Sequence, residues 1–245
     1  MTSIGEIPIS EIFGPTTQCE GKSQGLKVVF VRTGFCNLKC GWCDTKYTWD
    51  GDSYDLDKEI HVMTTIDIVT EVKRLAPDVK RVVISGGEPM IHQPELITLL
   101  TLFKYEKYLV EIETNGTIEL KNRFLELIDQ INCSPKTSNS GPDNTPPTRD
   151  RPEAMKKFVD SEKTNFKFVV GGEGDLPEIE DFILRYGISK DRVYLMPQAS
   201  TKEEYFRIDE SGISFDTRVQ RMAIDHGLHF SSRLQIHYWG NERGH

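Results

Sequence analysis

Short β-branched segments alternate with helical patterns about six times along this chain of 245 residues, and this alternation limits the fold more than any other feature. The segment VVFVRT (28–33) is the first predicted strand, and TIDIVTEVKRLA (65–76) is a predicted helix with apolar residues at three-residue steps. The pattern indicates βαβ units, right-handed crossovers and a parallel sheet. Further strands are predicted at 81–85, 108–114, 131–134, 166–170 and 192–196, a terminal strand at 233–239, and helices at 94–104, 118–129, 152–158, 177–185 and 215–225.

The length allows a large α/β unit, and we expect a single domain over residues 1–245. Periodicity alone does not separate a doubly wound sheet from a partial barrel. The segment KTSNSGPDNTPPTRD (136–150) stands apart because it holds three prolines and almost no apolar residue. We therefore expect a polar surface loop at about 137–150, with its role open between a lid and none.

Composition and charge exclude several classes of function. Hydrophobic residues make up 37% and charged residues 28%, as in ordinary globular proteins, and no run of about 18 apolar residues is present to span a membrane. The formal net charge of -8 lacks the basic footprint of a general nucleic-acid binder. The opening residues MTSIGEIPIS do not resemble a secretory signal, so we expect a cytoplasmic protein whose clustered cysteines serve metal binding or redox chemistry.

Three of the five cysteines fall within FCNLKCGWCDT (35–45), with the spacing C-x3-C-x2-C. Three thiolates on one loop, from Cys36, Cys40 and Cys43, fit a [4Fe–4S] cluster in which one iron keeps an open position for another ligand. A zinc site needs four ligands, so the alternative is a structural zinc ion completed by Cys19 or Cys133. The tight spacing favours the cluster.

The stretch SGGEP (85–89) follows the second predicted strand, about 40 residues after the cysteines. Adjacent glycines let backbone groups approach a ligand closely and adopt conformations that other residues avoid. Glu88 offers a carboxylate to a cation. A Gly-Gly pair on its own is usually only a turn, but together with the cysteine motif it indicates a binding site.

The cysteine spacing after the first predicted strand is similar to the signature of the radical S-adenosyl-L-methionine (SAM) enzymes. In that superfamily the open iron binds the amino and carboxylate groups of the methionine part of SAM, and an electron from the cluster cleaves SAM to a 5′-deoxyadenosyl radical. The resemblance implies that the turn at 85–88 holds the SAM ammonium. It also implies an α/β fold of the modified, incomplete (β/α)6 barrel type, with the site at the strand ends.

Four further motifs narrow the resemblance: EIFGPTTQCEG (11–21), CDTKYTW (43–49), ETNGT with CSPK (113–117 and 133–136), and RLQIHYWGNERGH (233–245). Together they resemble the 7-carboxy-7-deazaguanine synthases over nearly the whole chain. The resemblance implies a lyase reaction that converts 6-carboxy-5,6,7,8-tetrahydropterin to 7-carboxy-7-deazaguanine, releases ammonia and regenerates SAM, on the route to queuosine and other 7-deazapurines. It further implies Mg²⁺, a reducing partner such as flavodoxin or ferredoxin, and a homodimer.

The same resemblance assigns roles to individual residues and names no catalytic acid or base. The cluster ligands are Cys36, Cys40 and Cys43, and Thr45 binds Mg²⁺ through its hydroxyl. The SAM contacts are Trp42, Asp44, Ser85, Gly86, Gly87, Glu88, Thr114, Asn115, Ser134, Pro135, Lys136, Met196, Pro197 and Gln198. The substrate contacts are Thr17, Gln18, Cys19, Glu20, Arg32, Ser85, His237 and His245, the last through the terminal carboxylate.

The chemistry of a pterin suits several of these residues. A pterin presents a guanidine-like edge beside a carbonyl, which an amide and a carboxylate such as Gln18 and Glu20 can read. The planar fork of Arg32 suits a carboxylate, although a strand-end arginine is also a common salt-bridge partner. One residue departs from the family pattern: Cys19 stands where the family has glycine in Q-G-E-G, and a left-handed backbone there would strain a cysteine.

Two alternatives from other classes remain open at this point. Another radical SAM enzyme, such as an activase that generates a glycyl radical on a partner protein, would share the short chain and the early cysteine motif. A non-catalytic zinc or iron–sulfur protein would use the cysteines as a structural clamp. Thr45 and His237 also have ordinary structural roles open to them, as a turn residue and as a residue of a terminal strand.

Overall fold

The centre of the molecule is a sheet of nine strands, in a computed structural model that describes residues 5–240 and 242–245. The strands are β1 (Glu6–Thr17), β2 (Lys27–Thr33), β3 (His61–Thr64), β4 (Arg81–Gly86), β5 (Leu109–Thr114), β6 (Gln130–Cys133), β7 (Thr164–Val170), β8 (Val193–Pro197) and β9 (His229–Phe230). They lie side by side in the order β3-β1-β2-β4-β5-β6-β7-β8-β9.

Helices connect or flank these strands. They are α1 (Leu56–Glu59), α2 (Thr65–Leu75), α3 (Gln93–Tyr105), α4 (Asn122–Leu127), α5 (Pro146–Arg149), α6 (Pro152–Asp160), α7 (Leu176–Tyr186), α8 (Lys202–Tyr205), α9 (Phe215–Asp225) and α10 (Leu234–Trp239). Within the described residues, none of the helices combines the length and the apolar character that a membrane crossing requires.

The strands β2 and β4 to β9 run parallel to one another. The sheet stays open, because β3 and β9 form its two edges. Six parallel strands, β2 and β4 to β8, are each followed by a helix on the way to the next parallel strand. This arrangement is an incomplete (β/α)6 barrel, which confirms the expected fold class and decides the choice that periodicity left open.

The two faces of the sheet differ in chemistry, as β5 shows. Val110 and Ile112 belong to the large apolar core that the helices cover. Glu111 and Glu113 alternate with them and therefore point to the opposite, concave face. In β7, Lys167 likewise alternates with buried phenylalanines of the core. Along β5 and β7 the concave face is thus polar, unlike the face against the helices, and can hold a polar ligand there.

Two strands on the amino-terminal side are not predicted from the sequence. β1 pairs antiparallel with β2, and its register shifts between Phe13 and Thr16, where Gly14 and Pro15 interrupt the ladder. A Gly-Pro step inside an apolar run normally argues against a strand, so composition hides this one. The short β3 pairs with β1 and extends the antiparallel edge.

The prediction of a terminal strand at 233–239 is wrong, because this segment forms the helix α10. Its aromatic and β-branched residues favour a strand by composition. In the fold, Ile236 packs in a small buried cluster with Ala199 and Tyr205, and this tertiary contact overrides local preference. The helix predicted at 118–129 is shorter, Asn122–Leu127, while the other predicted strands and helices agree within about two residues at each end.

Candidate active site

A cavity of about 220 Å³ lies on the concave face, at the carboxyl ends of the parallel strands. The predicted site residues in its wall are Gln18, Cys19, Glu20, Arg32, Cys36, Cys40, Trp42, Cys43, Asp44, Thr45, Ser85, Gly86, Gly87, Thr114, Asn115, Ser134, Lys136, Met196 and His245. The structure therefore brings most of the predicted set to one place. The predicted residues that lie outside this wall are Thr17, Glu88, Pro135, Pro197, Gln198 and His237.

The three cysteines of the motif lie on the loop that follows β2. Phe35 has a left-handed backbone (φ 67°), which turns the chain out of the strand directly before Cys36. Phe35 N donates to Thr48 O at 2.7 Å and ties the beginning of the loop to its end. All three cysteines are free thiols and line the same cavity. Soft thiol ligands on one loop are a donor set that fits a [4Fe–4S] cluster.

The polar segment 137–150 packs on this cysteine loop. Gly41 N donates to Ser140 O at 2.9 Å, and the indole Nε1 of Trp42 donates to Asn139 O, also at 2.9 Å. Ser140 and Asn144 are buried. These two residues face the cysteine loop, while seven of the residues 137–150 are exposed at the surface.

The glycine-rich turn after β4 also packs against the cysteine loop. A Cβ at Gly86 (φ 150°) would lie 2.4 Å from Thr33 O, and a Cβ at Gly87 would lie 2.1 Å from Phe35 O. Gly87 N donates to Thr33 O at 3.1 Å. Only glycine permits this close approach of two backbone segments, so the turn and the cysteine loop hold each other in place.

Glu88, an expected SAM contact, is buried and lies outside the cavity wall. Its buried carboxylate accepts hydrogen bonds from Thr114 Oγ1 at 2.7 Å, Asn115 N at 2.6 Å and Met90 N at 3.0 Å. Burial raises the pKa of this carboxyl, and the donors oppose that rise without cancelling it. Glu88 therefore joins the glycine-rich turn to the end of β5 and leaves ligand contact to its neighbours.

The end of β6 presents alternate residues to the cavity. Lys136 Nζ donates to Ser134 O at 2.8 Å and lies 5.6 Å from the centroid of the Trp42 ring. Pro135, between the two lining residues, is buried outside the cavity wall. Pro135, an expected SAM contact, faces away from the cavity because neighbouring residues of an extended chain point in opposite directions.

The end of β8 behaves in the same way. Met196 lines the cavity, whereas Pro197 pairs with Val170 in the sheet and lies outside the wall. Gln198 lines an adjacent cleft that it shares with Trp42. Of the three predicted SAM contacts on this strand, only Met196 is placed in the cavity.

The amide of Gln18 is engaged by the protein. Its Nε2 donates to Glu111 Oε1 at 2.8 Å and to Glu113 Oε1 at 3.3 Å, and its Oε1 accepts from Glu20 N at 3.2 Å. Burial raises the pKa of the Glu111 carboxyl, and Glu111 is not one of the residues that line the cavity. Gln18 thus anchors the segment after β1 to the concave face of β5.

Glu20 pairs with several groups at once. Its carboxylate is bonded to Lys167 and Gln235 and lies 3.2 Å from Arg233 Nε. Burial alone would raise the pKa of Glu20, but Lys167 and Arg233 outweigh burial and hold that pKa at about 2. Arg233 also pairs with Asp44, so a chain of charges connects residues 18–20, the segment after β1, to the cysteine loop.

Sequence reasoning misses five polar residues of this wall: Glu113, Asn132, Lys167, Arg233 and Gln235. Lys167 carries a usable signal, because the strand TNFKFVV around it is buried throughout and a buried lysine needs an acidic partner. Arg233 and Gln235 carry no such signal in the sequence. The helix α10 decides which side chains of this segment turn inward, and the sequence predicted a strand there.

Cys19 is accommodated without strain at the position where the family has glycine. Among the described non-glycine residues, positive φ occurs at Phe35 and Lys107 and not at Cys19. The Cys19 thiol is buried and donates to Thr17 O at 3.1 Å, and burial raises its pKa to about 12. Thr17 therefore contributes a carbonyl to Cys19 and does not contribute its side chain to the cavity.

The two predicted histidine contacts have different outcomes. His237 is exposed on α10, where its ring lies against those of Phe206 and Tyr238, with centroids 5.1 and 4.9 Å away. His237 lies outside the cavity because a helix, unlike a strand, turns this position away from Gln235. His245 lines the cavity and stacks on Trp239, with centroids 5.3 Å apart.

The fold and the site define a class of protein, and comparisons with known proteins agree. The chain matches the model of the Radical SAM superfamily over residues 30–161, more than half of its length. It is 33% identical to the 7-carboxy-7-deazaguanine synthase of Pyrobaculum aerophilum over 100% of both chains, and 34% identical to that of Rhodopirellula baltica over 96% of this chain and 88% of the relative. Its fold is similar to the crystal structure of QueE from Escherichia coli, with a TM-score of 0.66 and 24% identity over 93% of both chains.

The cysteine loop and the parallel sheet are those of a radical SAM protein, a superfamily that uses a [4Fe–4S] cluster together with SAM. Within that superfamily, the chain belongs to the 7-carboxy-7-deazaguanine synthase family. Membership confirms the resemblance found in the sequence. It also removes the two alternatives, the glycyl-radical activase and the non-catalytic metal-binding protein.

Proposed function

We propose that this cavity converts 6-carboxy-5,6,7,8-tetrahydropterin to 7-carboxy-7-deazaguanine with release of ammonia. One observation carries the proposal: a single cavity joins the three-cysteine loop to the segment 18–20, in a chain 33% identical to a synthase over its whole length. The cluster with SAM, which is the source of the radical, and the pterin ring would then lie in one polar cavity at the strand ends.

The chain's own residues hold and orient the reactants. Cys36, Cys40 and Cys43 would ligate the cluster, and the turn at 85–87 with Thr114 and Asn115 supplies the wall that we assign to SAM. When bound, the cluster and SAM supply the 5′-deoxyadenosyl radical that takes a hydrogen atom from C6 of the pterin. The protein supplies position and electrostatics to this chemistry.

Arg32 would bind the substrate carboxylate. Its Nε donates to Glu11 Oε1 at 2.6 Å, and Tyr47 OH donates to the same oxygen at 2.7 Å. These contacts orient the guanidinium, while its two terminal nitrogens have no hydrogen-bond partner among the described residues. A carboxylate can bind both of them at once, which fixes the orientation of the substrate as well as its charge.

The pterin edge would face Glu20 and Gln235. The carboxylate of Glu20 only accepts, so Gln235 must turn its amide nitrogen toward it, and this leaves Gln235 Oε1 buried with no partner. An unpaired buried acceptor is costly, and the N–H groups of a guanidine-like edge would satisfy it. Phe13 and Phe30 stack with their centroids 5.0 Å apart and add an apolar surface to the same cavity.

Mg²⁺ would be bound at Thr45 together with the substrate carboxylate. Thr45 lines the cavity, and its Oγ1 lies 3.5 Å from Cys43 Sγ. Mg²⁺ keeps several ligands from water or substrate, so one hydroxyl from the protein is sufficient if the substrate completes the site.

The enzyme would need a one-electron donor, such as a flavodoxin or ferredoxin, and we propose that it works in the cytoplasm as a homodimer. The support for the location is that all five cysteines are free thiols, as expected in a reducing compartment. The donor and the dimer rest on the family resemblance alone.

One anaerobic assay tests the proposed function. The protein is reconstituted with iron and sulfide and mixed with SAM, a reductant, Mg²⁺ and 6-carboxytetrahydropterin, and 7-carboxy-7-deazaguanine is sought by mass spectrometry. We expect product from the native chain and none from Cys40→Ala. Formation of 5′-deoxyadenosine without the deazaguanine would keep the radical chemistry and contradict the pterin substrate.

A further inference from the structure

Each sulfur of the cysteine motif accepts one N–H hydrogen bond. The three pairs are Leu38 N to Cys36 Sγ at 3.5 Å, Asn144 Nδ2 to Cys40 Sγ at 3.3 Å, and Trp49 Nε1 to Cys43 Sγ at 3.4 Å. The first donor is a backbone amide, which substitution leaves unchanged. The other two are side chains, and one of them comes from the polar segment 137–150, more than a hundred positions along the chain from the sulfur that it contacts.

Hydrogen bonds determine which end of the Asn144 side-chain amide faces Cys40. Its Oδ1 accepts from Lys39 N at 2.9 Å, so the oxygen must face the backbone and the nitrogen must face Cys40 Sγ. The side chain is 2% exposed, and Arg149 Nη1 donates to the Asn144 carbonyl at 2.7 Å. The donor is therefore fixed by one hydrogen bond at its side-chain oxygen and one at its backbone carbonyl, and Asn144 is buried away from water.

Such donors have a defined effect on an iron–sulfur centre. One-electron reduction adds negative charge that is shared with the ligating thiolates, so an N–H group pointed at a thiolate stabilises the reduced form more than the oxidised form. Hydrogen bonds to the sulfurs are among the factors that set the reduction potential. A radical SAM cluster must be reduced before SAM is cleaved, so its reduction potential bears directly on the reaction.

We propose that Asn144 and Trp49 are positioning residues that raise the reduction potential of the cluster through N–H···S bonds to Cys40 and Cys43. The segment 137–150 thereby has a role as the carrier of one of these donors. This inference rests on membership of the radical SAM superfamily and holds whichever substrate the cavity takes.

The test is an EPR-monitored redox titration of the reconstituted protein, without SAM or substrate. Asn144→Ala and Trp49→Phe each remove one donor, and we expect each to lower the equilibrium constant for one-electron reduction by up to about tenfold, or about 59 mV. The double variant should shift further than either single variant. Because the readout is a potential, it is independent of turnover and of the proposed pterin reaction.

Asn139→Ala is the matched control. Asn139 belongs to the same segment and anchors it through Nδ2 bonds to Val169 O at 2.9 Å and Asp175 Oδ2 at 2.8 Å, but its side chain donates to none of the three sulfurs. We expect the native potential from this variant. Asn144→Asp, which keeps the acceptor for Lys39 N and loses the donor, should shift in the same direction as Asn144→Ala.

Iron content is measured for every variant alongside the potential. Unchanged potentials in both donor variants at full iron content would overturn the proposal, and so would an equal shift in Asn139→Ala. Loss of the cluster from Asn144→Ala together with a native potential in Trp49→Phe would also overturn it, because Asn144 would then act only by holding the loop.

Discussion

The two walls of the cavity are held by different forces. The cysteine loop is fixed mainly by neutral hydrogen bonds, such as Gly41 N to Ser140 O at 2.9 Å and Lys39 N to Asn144 Oδ1 at 2.9 Å, and has one charged contact, from Asp44 to Arg233. Residues 18–20, which we call the substrate segment, are fixed by charge, because the Glu20 carboxylate pairs with Lys167 and Arg233.

This difference separates two kinds of sensitivity. A neutral hydrogen bond contributes about 1 kcal/mol net and does not titrate, so a wall built of many such bonds changes little when one is lost. A buried ion pair gives little net stability when intact, but loss of one partner leaves an uncompensated charge that is far more costly. Loss of one charged group should therefore destabilise the substrate segment strongly and in a pH-dependent way. Loss of one neutral hydrogen bond should destabilise the cysteine loop only slightly.

The largest effect is expected from Lys167→Met. This change leaves the Glu20 carboxylate buried beside Arg233 without its closest cation, and we expect it to lower the free energy of unfolding by about 3 to 5 kcal/mol. Urea unfolding of the cluster-free protein measures the loss.

Lys156→Met is the control, because its pair with Asp160 is exposed on both sides and should be worth less than about 1 kcal/mol. The double change Glu20→Gln with Lys167→Met should recover part of the stability, since it removes the stranded charge. A double variant less stable than Lys167→Met alone would mean that the lysine acts through packing and not through its charge.

The second effect is on acid stability. Because the folded state holds the pKa of Glu20 at about 2, below its ordinary value of 4.5, its contribution to stability is present above pH 4.5. That contribution is lost as the pH falls from about 4.5 toward 2 and amounts to about 3 kcal/mol at about 1.4 kcal/mol per pKa unit. Urea unfolding at a series of acid pH values should show a shallower decline for Glu20→Gln than for the native chain, and parallel curves would contradict the ion pairing.

A smaller effect, of opposite sign, is expected from Glu88. Burial raises the pKa of this carboxyl, so its folded form favours the proton, and stability should fall as the pH rises from the ordinary value of 4.5 through the raised value. Glu88→Gln removes this slope but turns an amide toward three donors, and we expect a loss of about 2 kcal/mol near neutral pH. Binding of SAM to the folded variant should persist, measured by equilibrium dialysis. Complete loss of SAM binding in a stable Glu88→Gln protein would restore the direct contact that the sequence suggested.

The sequence predicts which residues line the cavity better than it predicts the hydrogen bonds and ion pairs among them. The parallel strands could be read from β-branched runs, and the motifs at their ends fall in one wall because parallel strands end at one edge of a sheet. Glu88 lies next to the site but faces protein donors, since the direction of a side chain depends on which donors surround it after folding. His237 lies outside the cavity wall for a simpler reason, because a six-residue helix and a strand of the same composition turn different residues inward.

The smallest effect concerns Cys19, where this chain departs from its family. If this position required a left-handed backbone, Cys19→Gly would relieve strain and stabilise the protein. The backbone of Cys19 has no positive φ, and its side chain is 5% exposed, so the change should instead cost about 1 kcal/mol through lost burial and a more flexible unfolded chain. Cys19→Ala should cost less than Cys19→Gly, because alanine keeps the Cβ and the stiffer backbone. A gain in stability from Cys19→Gly in urea unfolding would show that the substrate segment is strained as well as charged, and that the family's glycine serves the backbone there.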